Sequence, residues 1–265
     1  MARQPVEDAG SAAQDPRIRA ALTVAIVVVF AAFPLIPPQG HAWAIGALVS
    51  LAFVAGLLGD ALAAHTAAFC ALAALLIEVV GPAGWPLPLV FALVLYGGLA
   101  ALYAPARNAF AWVRLGSFAP EVRWLVLFTV LVSASALVVW YQLARPDVSM
   151  FRARIRPLPL LVLPLAGLGF ATVNAAAEEA VYRGFIQCAL ESSIGFGAAA
   201  LLLQALAFGL WHINGFPRGG AGVVLAFVYG LMLGMIRRRA GGMLAPWAAH
   251  VCADVVIFSI LVTFS

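Results

Sequence analysis

The sequence predicts an all-α membrane protein, a polytopic helical bundle of eight or nine transmembrane helices. Three observations lead there. Hydrophobic residues make up 65% of the 265 positions and charged residues 10%, against roughly 45–50% and 25% in ordinary soluble domains. Mean hydropathy is +1.04. The apolar residues fall into long continuous runs, more than a soluble fold of this size can cover with polar surface. A soluble enzyme, a disordered chain, a coiled coil and a disulfide-knit secreted domain are excluded.

Residues 1–16 are polar and broken by Pro5, Gly10 and Pro16, which reads as a disordered tail. Apolar runs follow at 20–36, 41–58, 62–80, 86–104, 122–144, 158–177, 195–213, 221–237 and 243–263. Each is near the ~20 residues that a bilayer core requires. Proline and glycine separate them at Pro37-Pro38, Gly81-Pro82, Pro86, Pro105, Pro120, Pro146, Pro157 and the Gly215-to-Gly222 stretch. Some runs are short, so eight spans plus one re-entrant piece fits as well as nine spans. Continuous rather than alternating apolarity disfavours a transmembrane β-barrel.

All 15 positive residues are Arg, and the net charge is +4. They sit in short loops between apolar runs, as topology signals do, so no nucleic-acid partner is expected. Arg107, Arg114 and Arg123 flank one side of the fifth run, and Arg145, Arg152, Arg154 and Arg156 the other. Both groups cannot be cytoplasmic if that run crosses once. Arg237-Arg238-Arg239 forms a further cluster, also read as a topology signal. An Arg-only, Ala-rich composition points to an integral protein of a bacterial inner (cytoplasmic) membrane. Cys70, Cys188 and Cys252 make neither a disulfide framework nor a CxxC pair, and Cys252 reads as a core thiol.

Residues 17–144 read as N-terminal transmembrane helices with little charge inside the runs and no assigned role. Residues 158–265 hold nearly all the awkward polar groups, and form the expected catalytic domain. The groups are Glu178-Glu179 with Arg183, Phe208 with His212, and His250 with Asp254. A charge near the centre of a membrane helix costs about 2.5–3.5 kcal/mol. Two Glu, one Arg and one Asp together cost on the order of 10 kcal/mol before pairing. Functional use is the default reading of such groups.

Residues four apart share a helix face. Glu179 can therefore pair with Arg183, and His250 with Asp254. No Ser stands beside a His and no Cys–His pair is evident, which disfavours serine and cysteine nucleophiles. Glu plus His suits an activated water. Either Glu178 takes the proton directly with a histidine assisting, or Glu178, His212 and His250 hold a zinc-like divalent ion that acidifies the water. Adjacent carboxylates point about 100° apart on a helix, so Glu178 is assigned to water and Glu179 to Arg183.

The ordered triple EExxxR, FxxxH, HxxxD on successive apolar helices resembles the CPBP family, the type II CAAX-prenyl-protease and bacteriocin-processing (Abi) intramembrane proteases. The resemblance covers about residues 158–263. It implies an α-helical intramembrane endopeptidase acting on a membrane-associated protein or peptide within the lipid bilayer. By this analogy Glu178 and His212 activate water, while His250 and Asp254 stabilise the oxyanion or complete a metal site. Many members carry Asn where this chain has Asp254, and a carboxylate is the poorer oxyanion donor. In a bacterial setting, peptide processing or cleavage of a C-terminal sorting signal is the expected task. The alternative is a proton- or ion-coupled transporter using the same buried Glu, His and Arg; confinement of the polar groups to one half counts against it. Trp211 and Trp247 read as interfacial anchors, and Gly230-x-x-x-Gly234 as a helix-packing face.

Overall fold

The computed structural model describes residues 15–81, 84–155 and 158–263. Among these the chain forms only helices, with no strand. In order they are α1 (Pro16–Ala32), α2 (Pro38–Leu57), α3 (Ala61–Val80), α4 (Leu87–Leu102), α5 (Pro120–Ala144), α6 (Ser149–Ile155), α7 (Leu163–Glu179), α8 (Gln187–Ile194), α9 (Ala198–Trp211), α10 (Gly219–Ala240) and α11 (Leu244–Thr263). Prolines stand at the first or second position of α1, α2, α4, α5 and α7, where a missing N–H costs nothing. The polar tail expected at 1–16 lies outside the described residues through position 14. Asp15 and Pro16 instead begin α1, with the Asp15 side chain accepting from the Arg17 N–H.

Among the described residues six helices are long and apolar enough to cross a bilayer: α1 with its following turn, α2, α3, α5, α10 and α11. The expected count of eight or nine is not reached by that measure, because α4 and α9 are shorter at 16 and 14 residues. The run read as ending at 177 does not end there. Its helix passes through a π-helical segment, Ala180–Ile186, and continues as α8 to Ile194. A break in apolarity marks paired charges here, not a helix end.

Contacts between helix ends set the arrangement. Arg19 at the start of α1 pairs with Asp60, which caps the start of α3. The Trp211 indole at the end of α9 donates to the Phe30 carbonyl near the end of α1. Glu191 in α8 meets Arg237 and Arg238 at the end of α10. The turn between α10 and α11 pairs with the segment before α5, through Ser117 N–H to Ala240 O and Met243 N–H to Arg114 O. One end of the bundle therefore gathers Arg17, Arg19, Arg114, Arg123, Arg237, Arg238 and Arg239. The other holds Arg145 and Arg152, the latter donating to the Leu261 carbonyl near the end of α11. Arg114 and Arg123 lie at one end of α5, one unbroken helix, and Arg145 and Arg152 at the other; Arg156 lies outside the described residues.

The N-terminal helices pack on the π-helical segment. Phe185 is fully buried and ringed by Phe69, stacked at 4.0 Å, with Tyr96, Phe110 and Trp112 at its edges. Trp112 lies so close over Gly184 that a β-carbon there would meet its indole at 2.7 Å. Large apolar side chains face outward, such as Leu102 at 91% and Leu161 at 94% exposed, as lipid-facing surfaces do. Cys252 is among the exposed residues rather than the core. Gly230 and Gly234 let α10 approach α9 at Ala205, Phe208, Gln204 and Leu201, the packing role expected of small residues in membranes.

Candidate active site

Glu178 and Glu179 close α7, Arg183 lies within the π-helical segment, Phe208 and His212 end α9, and His250 and Asp254 lie in α11. The π turn, a local widening often found at functional sites, sits where these helices meet. The Arg183 guanidinium is fully buried and donates to Glu179 Oε1 at 2.9 Å. It also donates to the Gly230 carbonyl and lies 4.5 Å over the Phe208 ring. A cation over an aromatic face, with a carboxylate beside it, offsets the cost of burying the charge.

Glu179 Oε1 also accepts from His250 Nδ1 at 2.8 Å. The carboxylate only accepts, so the imidazole carries its proton on Nδ1 and turns Nε2 toward the remaining acids. Nε2 stands 3.6 Å from Glu178 Oε2 and 3.9 Å from Asp254 Oδ1. Asp254 Oδ2 is held by Asn174 Nδ2 at 3.0 Å, and Asn174 Oδ1 accepts from the Trp85 indole N–H at 2.8 Å. The Glu178 side chain, 8% exposed, takes no hydrogen bond from any described residue.

The structure thus brings Glu178, Glu179, Arg183, His250 and Asp254 into one connected cluster. His212 joins it through Phe208. Its Nδ1 donates to the Phe208 carbonyl at 2.9 Å, and its ring lies 4.6 Å from that phenyl, which in turn meets His250 edge-on at 5.9 Å. Among the described residues no hydrogen bond or ion pair links His212 to Glu178 or His250. With Nδ1 donating, His212 Nε2 keeps an open lone pair. Among the described residues, no three His, Cys, Asp or Glu side chains stand as a ready metal-ligand group.

Several partners were not legible in sequence. The i, i+4 rule finds neighbours on one helix, and so pairs His250 with Asp254. The shorter bond runs between helices, to Glu179. Asn174 stands four residues before Glu178, a spacing that places it on the same face. Trp85 carries no such signal, since it lies 89 positions away from its partner. The indole N–H groups of Trp211 and Trp247, expected as interfacial anchors, are used on the Phe30 and Thr172 carbonyls and tie helices together.

A second buried polar group continues the spacing of the first. Glu179, Arg183, Gln187 and Glu191 recur at intervals of four, and their partners on α10 do the same. Arg183 donates to Gly230 O, Gln187 to Gly234 O, and Glu191 pairs with Arg238. Gln204 adds a bond from α9 to Gly230 O at 2.9 Å.

No curated protein and no solved structure matches the chain. Residues 160–256 match the model of the family described as type II CAAX prenyl endopeptidase, Rce1-like. That description names a protease and lends nothing to the transport reading. The matched segment carries all six residues of the candidate site, and over that segment the chain is similar to the type II CAAX prenyl endopeptidases.

Proposed function

We propose that this chain is an intramembrane endopeptidase in which Glu178 activates water beside His250. The observation that supports this most is the Glu178 carboxylate. It is buried, takes no hydrogen bond from any described residue, and faces His250 Nε2 across 3.6 Å, while Glu179 and Asp254 beside it each have one carboxylate oxygen engaged. A gap of that width between polar groups is bridged by a water or a substrate atom.

In the proposed reaction Glu178 takes a proton from water as its oxygen bonds to the scissile carbonyl carbon. The C–N bond then breaks, and Glu178 returns the proton to the leaving amine. Glu179 orients His250 through Nδ1, as a buried carboxylate orients a catalytic imidazole elsewhere. In this reading His250 also carries a proton on Nε2, as an imidazolium among three carboxylates, and its Nε2–H donates to the developing oxyanion. His212, with its Nε2 lone pair open, assists in orienting the water. The alternative of a zinc-like ion on Glu178, His212 and His250 requires His212 to approach the other two.

The substrate class we infer is the C-terminal portion of a membrane-associated protein or peptide. An apolar cavity of about 290 Å³, lined by Trp112, Leu115, Ala176, Met243, Leu244 and Trp247, reaches Glu179 from the Arg-rich end. That end is assigned to the cytoplasm by the positive-inside rule, in the inner membrane of a bacterium.

The test uses purified protein and a farnesylated peptide with a CAAX-type C-terminus, in water enriched with ¹⁸O. Wild-type protein is expected to release the C-terminal fragment and place one ¹⁸O in the new carboxylate, and Glu178→Gln to release none. Cleavage by Glu178→Gln at the wild-type rate would overturn the assignment. Activity that survives chelation to substoichiometric metal supports direct activation, whereas activity that follows zinc content establishes the ion.

A further inference from the structure

Trp85, Asn174 and Asp254 form a chain of hydrogen bonds that crosses from the N-terminal helices into the site. Trp85 lies immediately before α4, outside the matched segment, and is half-buried. Its indole N–H donates to Asn174 Oδ1 at 2.8 Å, and Asn174 Nδ2 donates to Asp254 Oδ2 at 3.0 Å. The other carboxylate oxygen faces His250 Nε2 at 3.9 Å. Asn174 is 5% and Asp254 4% exposed, so water does not substitute freely for either partner.

The chemistry of the two ends fixes the middle. An indole nitrogen only donates, and a carboxylate only accepts. An amide between them satisfies both in one orientation alone. Turned over, it would set its NH₂ against the indole N–H and its carbonyl against the carboxylate.

We infer that Trp85 is a positioning residue for the reaction: by fixing the Asn174 amide it holds the Asp254 carboxylate in place beside His250. This rests on the reading of the site as a protease. It gives the N-terminal half of the chain a part in the chemistry that the matched segment does not contain. Without the indole donor, Asn174 is free to turn, and Asp254 loses a fixed partner on the side away from the imidazole.

Two measurements test this. In ¹⁵N-tryptophan-labelled protein, Trp85→Phe identifies the Trp85 indole N–H signal. Asn174→Leu is expected to shift that signal and to speed its exchange with solvent at least tenfold. An unchanged signal in Asn174→Leu would overturn the hydrogen-bond chain whatever the activity. In cleavage of the farnesylated peptide, Trp85→Phe is expected to lower kcat by up to about tenfold, the upper scale of one neutral hydrogen bond, with KM within twofold. In an Asp254→Asn background the same substitution is expected to change kcat less than twofold, since an amide at 254 pairs with either orientation of Asn174. A similar loss in both backgrounds would show that Trp85 acts through packing alone, and overturn the inference. If wild-type protein does not cut the peptide, the protease reading fails, and the exchange measurement still decides the hydrogen-bond chain.

Discussion

Glu191 and Glu178 are both buried carboxylates on the same long helix, in opposite situations. Glu191 has both oxygens engaged: Oε1 by Gln187 and Arg238, and Oε2 by Arg237. Glu178 has an acceptor-rich group with no donor among the described residues, 3.6 Å from an imidazole nitrogen. A carboxylate whose lone pairs are all used is a fastener. One whose lone pairs are left open beside an oriented base is a place for a reacting molecule. The π-helical segment lies between the two, and its fully buried Arg183 belongs to both, bound to Glu179 on one side and to α10 on the other.

Substitutions at the two acids should therefore separate activity from stability. The largest expected effect is Glu178→Gln, which should reduce peptide cleavage by about 10²–10⁴-fold while moving the unfolding midpoint little. A loss of folding in place of activity would mean that Glu178 is a fastener too. Arg183→Met should destabilise the protein by about 3–5 kcal/mol, because it leaves Glu179 charged and buried without its main partner. Denaturant titration in detergent measures this, and an unchanged midpoint would break the link between the two ends. Glu191→Gln should cost about 1–3 kcal/mol and leave kcat of the folded protein within twofold. A collapse of kcat there would show that the clamp at Glu191 tunes the site. Arg237→Gln should cost about 1 kcal/mol: its side chain is only 13% exposed, but Arg238 and Gln187 still hold Glu191.

How much of the site can be read in the sequence follows from the range of each signal. The Glu179–Arg183 pair was legible because spacing on one helix reports contact on one face, and the structure holds that bond at 2.9 Å. The His250–Glu179 bond was not, because its partners are 71 positions apart and their meeting depends on how α7 packs on α11. Asn174 had a weak local signal and Trp85 none. The partners of Trp211 and Trp247 were hidden for a related reason. A tryptophan near a helix end suits an interface, but only the packed neighbours show whether its N–H reaches water or a carbonyl.

Sequence alone determined that this is a helical membrane protein, since transfer of so much apolar surface is additive and needs no contact map. It also determined which few ionisable groups carry the cost of burial. Only the tertiary structure decided that the helix bearing Glu178 runs on to Ile194, because internal pairing removes the penalty that would have ended it. Packing also decided which acid holds His250 and which stays open, and which Arg clusters share an end of the bundle. Those outcomes depend on distances between helices, and no local pattern of residues encodes them.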